Sequence, residues 1–144
     1  MPTITRFEDL KCWQNARLVC QNIQQIIETT YLKKSYKLKD QIDASSGSIM
    51  DNIAEGFGRT GNLEFIQFIS IAIGSCNECQ SQLYRVLDRN YIEKDRFDEI
   101  YEMVSFTRFQ LFRLTTYLQE CEIRGIKFLA GIINVKQISP TPNC

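Results

Sequence analysis

Histidine is absent from the 144-residue chain, and its absence removes several kinds of catalytic and metal site. A Ser-His-Asp or Cys-His site cannot be built, and neither can a metal site of the usual histidine-containing kind. Charge of one sign is not in excess either, because Lys plus Arg and Asp plus Glu each number 17. This balance argues against a strongly basic nucleic-acid binder but leaves room for a local basic patch.

Long apolar runs are missing as well. No stretch approaches the ~18 uninterrupted apolar residues of a membrane span, and the N-terminus shows no apolar run between a basic start and a cleavage site. We therefore expect a protein of the bacterial cytoplasm that does not associate with a membrane. In such a chain most of the six cysteines are expected to be small reduced core residues rather than parts of a disulfide framework.

What the chain does contain is four stretches in which apolar residues recur every three or four positions, as in amphipathic helices. They cover residues 8–31, 38–55, 63–88 and about 95–125. The core stripes that this spacing predicts are, in chain order, Trp13, Ala16, Cys20, Ile23 and Ile27; Ile42, Ile49 and Ile53; Phe65, Ile69, Ala72, Cys76, Cys79, Leu83 and Val86; and Phe97, Ile100, Val104, Thr107, Leu111, Leu114 and Leu118. Three connections of short to moderate length join the four stretches, which predicts an all-α, antiparallel up-down-up-down four-helix bundle over residues 1–124. Residues 125–144 break the pattern, and we expect a C-terminal tail there, extended or docked, with a frayed end.

Helices 2 and 3 each carry a polar row beside their apolar stripe. The rows consist of Ser48, Asn52 and Glu55 on helix 2 and of Ser75, Glu78 and Gln82 on helix 3. Because an unpaired buried polar group costs about 1–3 kcal/mol, we expect the two rows to bond to each other and to fix the register of the helices. A di-metal site at Glu55 and Glu78 is disfavoured, since the Glu-x-x-His pattern of di-iron bundles is absent.

Two short motifs suggest chemistry but lack the context that the chemistry requires. Residues 56–61 read G-x-G-x-x-G, yet they follow a helix, whereas the dinucleotide fingerprint follows a strand. These glycines suit a helix-to-helix reversal with Gly56 in the left-handed position that ends a helix, and Arg59 beside the start of helix 3 is a candidate phosphate contact. Cys76 and Cys79 form a lone C-x-x-C, which favours core packing over zinc or redox chemistry. We expect no catalytic residue, metal or cofactor.

The residues around the second helix carry a resemblance to a known family. In chain order they are residues 7–10, Trp13 and Ala16, then Gln41, Ser48, Ile49, residues 52–56 and Arg59, and finally Glu64, Phe65, Ala72, Gly74, Ser75 and Glu78. As a set, over roughly residues 7–118, they resemble the small bacterial four-helix bundle proteins encoded in 23S rRNA intervening sequences. Relatives of that family include the accessory variability proteins of diversity-generating retroelements.

The resemblance carries implications for assembly and partners. It implies a bundle fold, a homopentamer and, in the retroelement branch, binding to nucleic acid (RNA or DNA) and to a reverse transcriptase. It brings no catalytic residue. Asp43 and Ala44 stand where the family usually has basic residues, which argues against nucleic-acid binding through helix 2.

The lysine-rich connection between helices 1 and 2 is the candidate nucleic-acid site. In an up-down-up-down bundle the first and third connections share one end, which brings two sets of basic residues together. They are Lys33, Lys34, Lys37 and Lys39 in the first connection and Arg89 and Lys94 in the third. A lysine run is by itself typical of a solvated loop, and a phosphate-contacting patch is the alternative. Acidic neighbours predict weak, sequence-independent binding that several copies in a ring would strengthen.

Apolar residues that lie off the four core stripes predict self-association. The predicted interface consists of Leu18, Ile26, Ile66, Ile73, Phe106 and Phe109, and Val19 and Tyr117 also lie off the stripes. Two functions of different classes follow. The first is a non-enzymatic, oligomeric accessory protein that binds RNA or DNA. The alternative, which the zero net charge favours, is a protein-interaction scaffold that binds no nucleic acid.

Overall fold

The computed structural model describes residues 4–125, which form four α-helices and two short 3-10 turns. The helices are α1 (Lys11–Thr29), α2 (Tyr36–Phe57), α3 (Asn62–Asp88) and α4 (Lys94–Ile123). One 3-10 turn, Phe7–Asp9, leads into α1, and the other, Tyr31–Lys34, joins α1 to α2. The predicted all-α, four-helix fold is confirmed. The tail predicted over residues 125–144 lies, apart from Gly125, outside the described residues.

Side-chain hydrogen bonds join neighbouring helices at positions whose residue numbers rise on one helix as they fall on the other. The pairs are Ser45–Gln82 and Ser48–Ser75 between α2 and α3, Gln80–Ser105 and Asn77–Arg108 between α3 and α4, and Asn15–Gln110 and Asn22–Arg96 between α1 and α4. Each of these three pairs of helices is therefore antiparallel, which leaves α1 antiparallel to α2 as well. The helices run up-down-up-down, as in other simple bundles.

Apolar stripes on all four helices fill the core, and the stripe on α1 differs from the predicted one. The stripes predicted on α3 and α4 are buried at every position. On α1, Val19 and Ile26 are buried, whereas Trp13 lies at the edge of the core. Trp13 packs edge-to-face on Phe7 of the preceding 3-10 turn, with ring centroids 5.1 Å apart. Within residues 4–125 no helix is both long and apolar enough to cross a membrane.

The reversal between α2 and α3 depends on Gly56, but not for the predicted reason. Gly56 lies inside α2, so the left-handed ending predicted for it is wrong. Positive φ values in residues 4–125 occur at Asn90 and Gly125. A Cβ added at Gly56 would lie 2.7 Å from the Cβ of Phe68 and 2.8 Å from the ring of Phe65. Glycine at this position allows the end of α2 to approach the start of α3 closely.

Candidate nucleic-acid interface

The first and third connections meet at one end of the bundle, which we call the basic end (residues 29–39 and 89–96). Nη1 of Arg89 donates to the hydroxyl of Ser35 at 2.7 Å and so joins the end of α3 to the start of α2. Arg96, near the start of α4, donates to two side-chain oxygens of α1. The two connections therefore share one end, as the topology requires.

The segment between α1 and α2 is anchored at several points. Oγ1 of Thr30 accepts from the backbone N–H of Leu32 at 3.1 Å and donates to the carbonyl of Ile26. The backbone N–H of Ser35 donates to the carbonyl of Leu32 at 2.9 Å. Leu32 and Leu38 are both fully buried, so the segment is pinned to the core on either side. The side chains between these anchors project from an ordered backbone.

The six basic residues predicted to contact nucleic acid fall into two groups. Lys33, Lys34 and Lys37 are exposed, and their side chains form no ion pair with any described residue. The other three have partners: Lys39 lies near Asp40 and over the ring of Tyr36, Arg89 bonds to Ser35, and Lys94 pairs with Asp98. The first group therefore has neither an ion pair nor a side-chain hydrogen bond within the described residues, whereas Lys39 and Lys94 lie near carboxylates and Arg89 keeps its charge beside a neutral hydroxyl.

Tyr31 and Tyr36 lie among these lysines and were not among the residues predicted to be functional. Their side chains are 73% and 68% exposed, more than any other aromatic side chain in residues 4–125. The sequence does contain a signal for them, because the run YLKKSYKLK places a tyrosine before each group of lysines. Stacking on aromatic rings beside basic residues is a common mode of binding single-stranded nucleic acid.

The surface of the basic end is concave. One cavity, of about 260 Å³, is lined by Thr29, Thr30, Tyr31, Lys33 and Lys34. A second, of about 290 Å³, shares the two threonines and extends over Gln25, Ile26, Tyr91, Ile92, Glu93 and Arg96. The two cavities adjoin and connect the lysine segment to the third connection.

The polar rows of α2 and α3 are brought together only in part. The hydroxyl of Ser75 donates to that of Ser48 at 2.8 Å, and Nδ2 of Asn52 donates to the same Ser48 oxygen at 2.9 Å. Gln82 accepts instead from the hydroxyl of Ser45 at 2.6 Å. Ser45 lies three positions before Ser48 on the same helix face, a spacing that could have identified it.

The two glutamates of the predicted network lie outside it. Glu55 and Glu78 are exposed, and Glu55 forms an ion pair at 3.0 Å with Arg59. The prediction is wrong for both, because a carboxylate at the surface keeps the hydration that it would lose between the helices. The guanidinium of Arg59 also lies over the ring of Phe68, so this arginine already has two partners within the chain.

Most of the apolar residues predicted for an oligomer interface lie around the outside of α4. Together with Phe112, which was not predicted, they define what we call the apolar face, which consists of the exposed Leu18, Phe106, Phe109 and Phe112 and the partly buried Ile66 and Ile73. The pairing of Asn77 with Arg108 places Ile73 opposite Phe112, and the pairing of Asn15 with Gln110 places Leu18 level with Phe106.

Ile26, Val19 and Tyr117 do not belong to this face. Ile26 is 2% exposed in the single chain, so the interface prediction is wrong for it, because its side chain fills the core of its own chain. Val19 and Tyr117 are buried in the same way.

The C-x-x-C thiols lie in the core, as predicted. Cys76 and Cys79 are free and fully buried, and burial raises the pKa of each thiol to about 12. Thiols of such high pKa are poor nucleophiles at neutral pH. No group of three or more metal-binding side chains occurs in residues 4–125.

Two comparisons relate the chain to known proteins. The model of the family described as 23S rRNA-intervening sequence protein matches residues 8–122. A similar solved structure is that of a protein of unknown function from the S23 ribosomal protein family of Bacteroides thetaiotaomicron. It is 20% identical with a TM-score of 0.66, and the match covers 72% of this chain and 97% of that one. At this identity the likeness shows the fold alone. No curated protein matches the chain.

Proposed function

The chain belongs to the 23S rRNA-intervening sequence protein family, and we propose that it is a non-enzymatic, oligomeric accessory protein that binds nucleic acid at its basic end. The observation that most supports this proposal is the exposure of Lys33, Lys34 and Lys37 on an anchored segment without ion-pair partners in residues 4–125. Lysine is a flexible point charge well suited to phosphate groups. An anchored backbone reduces the entropy lost on binding.

Binding by one chain is expected to be weak and independent of sequence. Acidic residues at the same end reduce its positive field: Asp88, Glu93, Asp95 and Asp98. Three lysine–phosphate contacts would give a slope of about −2 to −3 in a plot of log affinity against log salt concentration.

Several copies would overcome this weakness. We propose that the apolar face joins copies of the chain into a closed homo-oligomer, since exposed apolar patches commonly mark self-association surfaces. Because the net charge of the chain is zero, electrostatic repulsion between copies opposes assembly only weakly. A ring with several basic ends gains affinity for one strand through effective concentration. The pentameric number and a reverse transcriptase as partner are proposed from the family resemblance alone, and the cytoplasmic location expected from the sequence stays a prediction.

The proposal is tested by binding measurements with a charge-matched control. Fluorescence anisotropy at ~50 mM salt would compare single-stranded RNA, structured RNA and duplex DNA. The variant Lys33→Glu/Lys34→Glu should lose at least about 10-fold in affinity, because two phosphate contacts become repulsive. The control, Lys11→Glu/Arg17→Glu, makes the same change of charge on exposed positions outside the basic end and should bind like the wild type.

Two results would contradict the proposal. One is equal loss of affinity in both variants, which would mean that overall charge rather than the basic end governs binding. The other is a wild-type protein that binds none of the three probes. The apolar face would then favour the second candidate, a protein-interaction scaffold that binds no nucleic acid.

A further inference from the structure

We propose that Tyr31 and Tyr36 are stacking platforms for nucleobases, so that the basic end selects single-stranded nucleic acid over a duplex. This inference rests on the proposed function and adds the class of nucleic acid to it. Both rings are largely exposed, and neither contacts another aromatic ring within residues 4–125. Tyr84, by contrast, is half-exposed and packs against two neighbouring rings.

The surroundings of the two rings suit a nucleic acid better than a protein. The centres of protein interfaces are enriched in tyrosine but depleted of lysine. Here three lysines without ion-pair partners in the described chain lie within six residues of Tyr31. A nucleotide presents the flat aromatic face of its base together with a phosphate, and so matches a ring beside a lysine.

The position of Tyr31 is consistent with one stacked base. Tyr31 and Lys34 lie at opposite ends of a 3-10 turn, where residues three apart are eclipsed and share one side. The adjoining cavity of about 260 Å³ also includes Lys33. A base stacked on the ring of Tyr31 would therefore lie beside these two lysines, which could contact its phosphate.

Tyr36 offers a second platform five residues further on. Nζ of Lys39 lies 5.4 Å from the centroid of its ring, a distance at which the cation is attracted to the ring. The lysine lies over the ring, and Tyr36 is nevertheless 68% exposed, so its ring still offers surface to a base. In a duplex the faces of the bases are already stacked on each other, so a duplex would contact the lysines alone.

The experiment uses the full chain and three labelled probes of equal length, about 20 nucleotides, at ~50 mM salt. They are a single strand with pyrimidine bases, an abasic strand with the same backbone, and a duplex, each single strand being tested as RNA and as DNA. The wild type should bind the base-containing strand at least about 10-fold more tightly than the abasic strand. Tyr31→Leu/Tyr36→Leu should remove this preference, and Tyr31→Phe/Tyr36→Phe, which keeps the rings, should retain it.

Each outcome separates the inference from the proposed function. Equal binding of the base-containing and abasic strands by the wild type would overturn stacking while leaving the lysine contacts intact. A preference that survives the leucine substitutions would place stacking elsewhere on the protein and would also overturn the inference. If no probe binds, both proposals fail. The comparison of strands needs only the wild type, so it holds even if a variant misfolds.

Discussion

The basic end and the apolar face both lie outside the core, and they differ in the elements that carry them. At the basic end a short connection, pinned by buried Leu32 and Leu38, presents lysines and tyrosine rings. On the apolar face, Phe106, Phe109 and Phe112 project from the middle of a 30-residue helix and are half-exposed. Since the two surfaces share no residue, nucleic-acid binding and self-association should be separable by substitution.

The largest effect is expected from breaking the apolar face. Phe106→Glu/Phe109→Glu should weaken self-association at least about 100-fold, because two uncompensated charges would be buried between copies. Light scattering at micromolar concentration measures the change. The control is Ile71→Glu, an exposed apolar position of α3 one turn before Ser75, on the side of that helix that faces α2 rather than α4. A wild type that is already a monomer of 16.8 kDa would contradict the predicted assembly.

Two buried thiols in the core should make the folding stability of the protein fall at alkaline pH, which limits the pH range in which the two surfaces can be compared. Cys76 and Cys79 have thiol pKa values of about 12, above the ordinary value of 9.0. Between these values the unfolded chain releases protons that the folded chain keeps, so stability is complete below pH 9 and falls as the pH rises. At pH 10 the loss should be about 1–3 kcal/mol for the two thiols together.

Urea unfolding at pH 8 and pH 10 measures this loss. Cys76→Ala/Cys79→Ala should depend less steeply on pH, although lost packing should make it less stable at pH 8 by about 1–3 kcal/mol in total. An equally steep fall in the variant would assign the alkaline effect to other groups.

An effect of similar size is expected at the end of the bundle opposite the basic end. Gly56→Ala should lower the free energy of unfolding by about 1–3 kcal/mol, because the new Cβ would clash with Phe65 and Phe68. Gly47→Ala is a matched control in the same helix, where a Cβ would meet nothing within 4 Å, and should stabilise by up to about 1 kcal/mol. Thermal unfolding measures both. Equal effects would show that the close approach at Gly56 is relieved at little cost.

The sequence predicted the helices and most of the core because apolar spacing is a local signal. The apolar stripes of α3 and α4 were predicted correctly at every position. The hydrogen bond between Ser75 and Ser48 was expected as well, because the polar rows of α2 and α3 were predicted to face each other. The stripe of α1 was misplaced because Trp13, the largest apolar residue of that segment, packs on Phe7 at the edge of the core.

The other errors concern the surroundings of individual side chains rather than the positions of the helices. Glu55 lies near the polar row, but its long side chain reaches solvent and pairs with Arg59. The close approach of α2 and α3 at Gly56 depends on the angle between the helices, which spacing along one helix does not reveal. The pairing of Lys94 with Asp98 was readable as an i,i+4 pair, whereas the bond from Arg89 to Ser35 depends on tertiary structure.

We propose that the basic end binds nucleic acid independently of assembly through the apolar face. The most direct test is the affinity of a single strand of about six nucleotides, too short to gain from several copies, for two variants measured in parallel. We expect Lys33→Glu/Lys34→Glu to lose this binding and to keep its size in light scattering, whereas Phe106→Glu/Phe109→Glu should keep the binding and form smaller assemblies. Loss of short-strand binding in the phenylalanine variant, with binding retained in the lysine variant, would show that the basic end is not the binding site.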